Sequence, residues 1–235
     1  MVKLHLLIVL VLLICTFKVY NSQDIEISLL NTNITQTLDD LLDQGKSANA
    51  LEIITNLTNE EQNNTIIKLK YARALIQTGK FTQGESILNN IYSDTPDNIE
   101  ANLLLSKYHI RNKNWNKAET HLNHAISLTT NANDTNNHAK ALALLSTLVS
   151  QRDNNNIYAR ELIEKAILIQ PNNPQLQFDC GILRFYSNTT TDHILAKQAF
   201  DEAVRLNPNL DNTMIGKSCL YTNTYYDMAY CYMRI

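Results

Sequence analysis

Glycine and proline are scarce in this sequence. Its 235 residues include five glycines and four prolines, too few for a β-sandwich or barrel, whose many tight turns depend on these two residue types. The periodic segments are rich in Leu, Ile, Ala, Lys, Glu and Gln, which favour helix. Since 44% of the residues are hydrophobic, a chain of this length can bury a sizeable core. We therefore expect an all-α protein.

A surplus of positive charge is also lacking. The formal net charge is −3 and the sequence pI is near 6.1. Domains that bind nucleic acid usually carry a clustered basic surface and a high pI. We therefore do not expect nucleic acid among the partners of this chain.

Sequence motifs of catalysis and cofactor binding are missing as well. The sequence contains no Gly-rich phosphate loop, no nucleophile elbow and no paired-cysteine metal motif. His121 and His124 lie three residues apart and could meet one metal ion, but Glu119 faces elsewhere on the same helix and no third ligand is evident. We interpret the two histidines as surface residues and expect no enzyme, cofactor or metal. A metal-dependent enzyme that uses these two histidines as ligands is one of three hypotheses for the function of the chain.

What the chain does have is a period of 34 residues. Ala50, Gly84 and Ala118 lie 34 positions apart, each within the same layout of an apolar run, a polar break and a second apolar run. A fixed period of this size is typical of stacked helical hairpins. A small side chain at this place lets two helix backbones approach closely, while Leu and Ile fill the space around it.

Five such units can be delimited, with an insertion of residues 133–139 before the fourth that is expected to lie in the loop between helices. Their bounds are residues 31–64, 65–98, 99–132, 140–173 and 174–210. Small residues recur in the first helix of several units, at Ala72, Ser106 and Gly181. They recur in the second helix at Ala50, Gly84, Ala118, Ala159 and Ala196, and prolines end three units at Pro96, Pro171 and Pro208.

This pattern resembles the tetratricopeptide repeat (TPR), a helix-turn-helix unit of 34 residues. The resemblance covers residues 31–212. It implies a right-handed superhelical solenoid of about five repeats that holds protein partners. Residues 213–235, rich in Tyr and Met, are predicted to form a C-terminal cap helix or a truncated sixth repeat.

The N-terminus is predicted to direct export. Residues 1–22 combine a short positive start with an apolar run over residues 4–17, typical of a signal peptide or an N-terminal membrane anchor. Lipid modification at Cys15 is a minor alternative, because Ile14 is bulky for such a signal. Residues 23–30 form a spacer. Either main interpretation gives a membrane-associated protein with its repeats outside the cytosol, in the periplasm of a bacterium or the lumen or exterior of a eukaryote.

The other three cysteines lie beyond the apolar run. In an oxidising compartment Cys219 and Cys231 could pair, which would leave one thiol over. Cys180 lies on a helix face predicted to be core, so we expect it to be buried and unreactive.

The resemblance also implies a groove lined by the first helix of each unit. Its predicted residues are basic or amidic in the middle of the array and apolar toward the C-terminus, which suits an extended or helical protein segment of acidic character. The alternative is that these residues are solvated charges beside ordinary core residues. The predicted groove consists of Arg73, Gln77, Lys107, Arg111, Arg152, Phe178, Ile182 and Tyr186.

The hypothesis for function follows from these parts. We expect an exported or membrane-anchored, non-catalytic adaptor or assembly scaffold that binds a partner segment in its groove. The alternative is the non-catalytic repeat region of a larger membrane enzyme or secretion effector, truncated at its C-terminus. The sequence does not predict the oligomeric state.

Overall fold

The computed structural model describes residues 33–186 and 189–208, and in these residues the secondary structure is helical, without strands. The expected all-α fold class is confirmed. The helices are α1 (residues 33–43), α2 (Ser47–Thr55), α3 (Asn59–Asn63), α4 (Thr65–Gln77), α5 (Phe81–Asp94), α6 (Ile99–Arg111), α7 (Trp115–Asn131), α8 (Thr135–Asp153), α9 (Asn156–Ile169), α10 (Pro174–Phe185) and α11 (Thr190–Leu206).

Asparagines begin several of these helices. The Asn64 side chain accepts a hydrogen bond from the backbone N–H of Ile66 at the start of α4. Asn98 caps α6 and Asn173 caps α10 in the same way. An Asn side chain at this place satisfies a backbone donor that has no partner inside the helix. The asparagines between the apolar runs therefore fix where helices start.

One turn recurs between the helices of the first three hairpins. Its central residue has positive φ, 72° at Gly45, 86° at Gly79 and 57° at Lys113. In each copy the next residue donates its backbone N–H to a carbonyl five residues earlier, as from Lys80 to Leu75 at 2.8 Å. This is the Schellman ending of a helix. Lysine at positive φ costs about 1 kcal/mol relative to glycine. The third copy therefore adopts the turn although the backbone of Lys113 disfavours this conformation.

The chain divides into two compact units, the first ending at Asn90 and the second beginning at Ile91. In the first unit, α2 contacts α4, and the core is built from α1, α2 and α4. In the second unit, α6–α7, α8–α9 and α10–α11 form hairpins, and α7 contacts α8 as α9 contacts α10. A continuous core runs through α6 to α10.

The small residues of the period lie where helices meet. Ala50, Ala118 and Ala159 are fully buried. A Cβ atom added to Gly181 would lie 2.5 Å from Cε1 of Phe200, well inside the contact distance of two carbons. The prediction that small side chains permit close helix approach is confirmed.

The insertion before the fourth unit differs from expectation. A loop is predicted at residues 133–139, but α8 begins at Thr135. Asp134 caps this helix by accepting the backbone N–H of Asn137 at 3.0 Å, and Ala139 is fully buried. The prediction is wrong because most of the inserted residues extend α8 at its N-terminal end.

Several predictions fall on residues outside the described part of the chain. These are the signal or anchor at residues 1–22, the spacer at 23–30, the C-terminal cap at 213–235 and the pairing of Cys219 with Cys231. None of the helices in the described residues is both long and apolar enough to cross a membrane. Cys180 is 5% exposed and burial raises the pKa of its thiol, so the prediction of a buried cysteine is confirmed.

The contact between Gly181 and Phe200 gives a stability prediction. We expect Gly181→Ala to lower the free energy of unfolding by about 2 kcal/mol, because the added methyl group must displace a buried ring. Urea denaturation followed by circular dichroism measures the change. In a Phe200→Leu background the cost of Gly181→Ala should shrink. An equal cost in both backgrounds would show that the ring does not limit this position.

Candidate functional site

The first helices of the three hairpins in the second unit lie side by side. Helix α6 contacts α8, and α8 contacts α10. Each helix leaves one stripe of side chains at least partly exposed. On α6 the stripe includes Lys107 and Arg111, on α8 Leu144 and Thr147, and on α10 Asp179 and Ile182, with Tyr186 directly after the helix. We call these seven residues the inner surface.

Arg73 and Gln77, the two predicted groove residues of the first unit, make contacts within that unit. Nη2 of Arg73 lies 2.5 Å from Oδ1 of Asp43. Gln77 accepts a hydrogen bond from Oγ of Ser47 at 2.5 Å and donates one to the carbonyl of Leu42 at 3.4 Å. Both side chains therefore tie α4 to the preceding hairpin. Their binding of a partner stays a prediction.

Arg152 turns away from the inner surface. Its Nη1 lies 2.7 Å from a carboxylate oxygen of Glu119 on α7, and its Nε lies 2.7 Å from Asp153. Hydrogen bonds to Asp153 and Glu119 raise the pKa of this guanidinium further above its ordinary value. On α8 the place that corresponds to Lys107 is held by Thr147. The predicted register was one residue off because α8 contains much of the insertion.

Phe178 belongs to the core. It is 7% exposed, and its ring centroid lies 5.6 Å from that of Phe200 on α11. The corresponding residues of the second and third repeats, Leu69 and Leu103, are buried too. Phe178 is therefore corrected from a groove residue to a packing residue. The remaining predicted residues, Lys107, Arg111, Ile182 and Tyr186, come together on the inner surface.

Asp179 was missed by the sequence analysis. On α6 and α8 the same place is held by the half-buried Leu104 and Leu144. Burial raises the pKa of the Asp179 carboxyl to about 6, although a hydrogen bond from Gln175 and the charge of Lys107 both act to lower it. The Gln175 amide lies 2.8 Å from Oδ1. The signal that could have revealed it was an aspartate where the two preceding repeats have leucine.

Charge also fixes the position of α10. Arg184 on this helix contacts Glu164 on α9 and lies 3.2 Å from Asp192 on α11. Arg160 on α9 lies 2.7 Å from the same Asp192. These partly buried ion pairs join α9, α10 and α11. They stabilise the position of α10 from the side opposite the inner surface.

The two histidines of the metal hypothesis make protein contacts. Nδ1 of His121 lies 2.9 Å from Oδ1 of Asn102, and its ring stacks on His109 at 5.7 Å. Burial and nearby positive charge lower the pKa of His121 to about 4. It is therefore a half-buried neutral residue, and the surface interpretation is wrong for it. Nε2 of His124 lies 3.0 Å from Asp97.

The metal hypothesis finds no site in the part of the chain that the structure describes. Among those residues, no three His, Cys, Asp or Glu side chains gather so that they could hold an ion.

Comparison with known proteins gives the nature of the repeats. The tetratricopeptide repeat family matches residues 41–92. A solved structure of TTC0263, a thermophilic TPR protein in Thermus thermophilus, is similar with a TM-score of 0.60, at 14% identity over 76% of this chain and 92% of that one. The repeats have the tetratricopeptide fold.

A second similar structure is MamA from Desulfovibrio magneticus RS-1. Its TM-score is 0.48, at 19% identity over 78% of this chain and 96% of that one. No curated protein matches the sequence.

The half-buried carboxyl of Asp179 gives a prediction about pH. We expect the carboxyl carbon of Asp179 to titrate near pH 6 by NMR. Because its pKa is higher in the folded than in the unfolded chain, its ionisation lowers stability as pH rises through about 4 to 6. Asp179→Asn should therefore raise the free energy of unfolding by about 1 kcal/mol at pH 8 and change it little at pH 4. A titration midpoint near pH 4 would contradict the desolvation of this group.

Proposed function

We propose that this chain is a non-catalytic adaptor or assembly scaffold, exported or membrane-anchored, that binds a segment of a partner protein. The observation that carries the proposal is the inner surface of the second unit. There the tetratricopeptide hairpins bring Lys107, Arg111 and Tyr186, from two different repeats, to one side of the layer formed by α6, α8 and α10. A stack of hairpins that presents side chains from several repeats is suited to hold an extended or helical segment.

The exposed residues of this surface support the proposal. Lys107 and Arg111 are one helical turn apart and exposed, and Tyr186 is 56% exposed. Tyr and Arg are enriched among the residues that dominate protein interfaces. Leu144 on α8 and Ile182 on α10 belong to the same inner surface. Both are half-buried and offer apolar area that a partner can cover. A partner segment can therefore gain both burial and charge pairing here.

The adaptor role is tested by charge reversal. We expect Lys107→Glu with Arg111→Glu to weaken partner capture about tenfold or more. The circular dichroism should stay unchanged because both side chains are exposed. The unfolding midpoint should fall slightly, because the first substitution adds negative charge near Asp179. Capture is measured by a photo-crosslinking residue placed at Thr147 in native cells, with the products identified by mass spectrometry. The matched control is Lys117→Glu with Lys165→Glu, which changes charge equally at exposed sites on α7 and α9.

Two results would contradict the adaptor role. One is equal capture by the inner-surface variant and its control. The other is the same set of crosslinked products from a residue at Ser127 on α7, which is exposed on the second helix of its hairpin.

Export is supported by the apolar run of residues 4–17. We expect Val9→Asp with Leu12→Asp to leave the protein in the cytosol, because two carboxylates break the apolar region that the export machinery recognises. Cell fractionation and protection from added protease measure its location, and Asn21→Gln is the control. Retention of the parent protein in the cytosol would overturn this part, and N-terminal sequencing separates a cleaved signal from an anchor.

A further inference from the structure

In the second unit, Asp179 lies at a place that the two preceding first helices give to an apolar residue. The same row is held by Leu104 on α6 and Leu144 on α8, and all three side chains are half-buried. A leucine at this place would bury apolar area, as its equivalents on α6 and α8 do. The carboxylate makes one polar contact on its own helix, the hydrogen bond from Gln175.

A partly desolvated carboxylate at an accessible place is typical of a binding residue. Burial raises its pKa to about 6, so keeping it ionised at neutral pH lowers the stability of the folded chain. Residues that lower stability in this way concentrate at functional sites. A cation placed against Asp179 by a ligand would relieve the unfavourable burial of its charge.

Charges of opposite sign lie on the two helices that contact α8. Lys107 and Arg111 lie on α6, and Asp179 lies on α10, close enough for the charge of Lys107 to act on it. Between them lie the half-buried Leu144 and Thr147. The exposed ring of Tyr186 stands on the same stripe as Asp179 and can cover the aliphatic part or the charge of a bound basic side chain.

We propose that the partner segment is bipolar, with an Arg or Lys side chain bound by Asp179 and an Asp or Glu side chain bound by Lys107 and Arg111. The proposal rests on the proposed function and refines it. A purely acidic segment would bring a carboxylate against Asp179, which like-charge repulsion opposes. An apolar residue between the two charged ones packs on Leu144. Because the two ends of the segment differ, it binds in one direction across α8.

The experiment uses the full chain and a display library of random linear peptides as the probe. The parent protein should enrich peptides in which an acidic and a basic residue occur in one order at a constant spacing. The charge-swapped variant, Lys107→Asp with Asp179→Lys, is made in an Arg111→Gln background so that one charge remains at each end, and it should enrich peptides with the two charges in the reverse order. This reversal is not expected from a nonspecific electrostatic surface, because the swap leaves the net charge unchanged.

Affinity measurements sharpen the assignment to Asp179. Fluorescence anisotropy with the best enriched peptide should show about a tenfold weaker Kd for Asp179→Asn. The matched control Glu161→Gln removes one carboxylate from an exposed site on α9 and should leave the Kd unchanged. Since protonation neutralises Asp179, binding to the parent should weaken as pH falls through about 6, whereas binding to Asp179→Asn should not.

The remaining outcomes separate this inference from the adaptor role. Binding that needs Lys107 and Arg111 but not Asp179, or a swapped variant that enriches the same peptides, overturns the bipolar ligand and leaves the adaptor standing. Failure of every variant to enrich any peptide counts against both. A synthetic peptide of residues 209–235 is added as competitor. If it binds to the inner surface, a segment of this chain occupies that surface, and the proposal of a partner segment is overturned.

Discussion

Close packing of helix against helix at the small residues is the constraint on which the rest depends. Where Gly181 meets the ring of Phe200 there is no room for a methyl group, and the small, fully buried Ala72 and Ser106 fill the corresponding places of two other repeats. Once this separation is set, the apolar side chains around it can interlock. The faces that remain uncovered are then determined, and in the second unit one of them is the inner surface.

The inner surface combines residues with different structural roles. Ile182 packs partly against the core formed by Phe178 and Phe200, so its position is fixed by the interior. Asp179 lies one turn away in a place that neighbouring repeats give to leucine. The charged contacts of Arg184 hold α10 from its other side. A rigid helix that carries one unfavourably buried charge is a suitable support for a ligand that supplies the opposite charge.

Much of the fold could be predicted because its signal is periodic. The spacing of Ala50, Gly84 and Ala118 indicated the hairpins, and the polar breaks between the apolar runs indicated the turns. Periodicity failed at the insertion before the fourth repeat, since a helix can lengthen without changing its amphipathic pattern. That lengthening moved the register by one residue and placed Arg152 in the predicted groove, although it contacts Glu119 instead.

The site was less predictable than the fold. Phe178 was assigned to the groove although its equivalents, Leu69 and Leu103, are core residues, because a bulky aromatic side chain suits either setting. Arg73 and Gln77 have partners on α1 and α2 that only the folded chain brings near. Asp179 stands out because it differs from the residues at the same place on α6 and α8, which are leucines. That difference becomes visible when the helices are aligned by their exposed faces.

The recurrent turn at Gly45, Gly79 and Lys113 has a consequence for how such a sequence can change. Its shape is maintained by main-chain hydrogen bonds that every residue except proline can donate, and a lysine adopts it at a tolerable cost. The geometry of the hairpin is thus retained when the side chains of the turn are substituted. Lineages that share this architecture can drift until little sequence likeness is left, and each repeat becomes free to acquire its own surface chemistry.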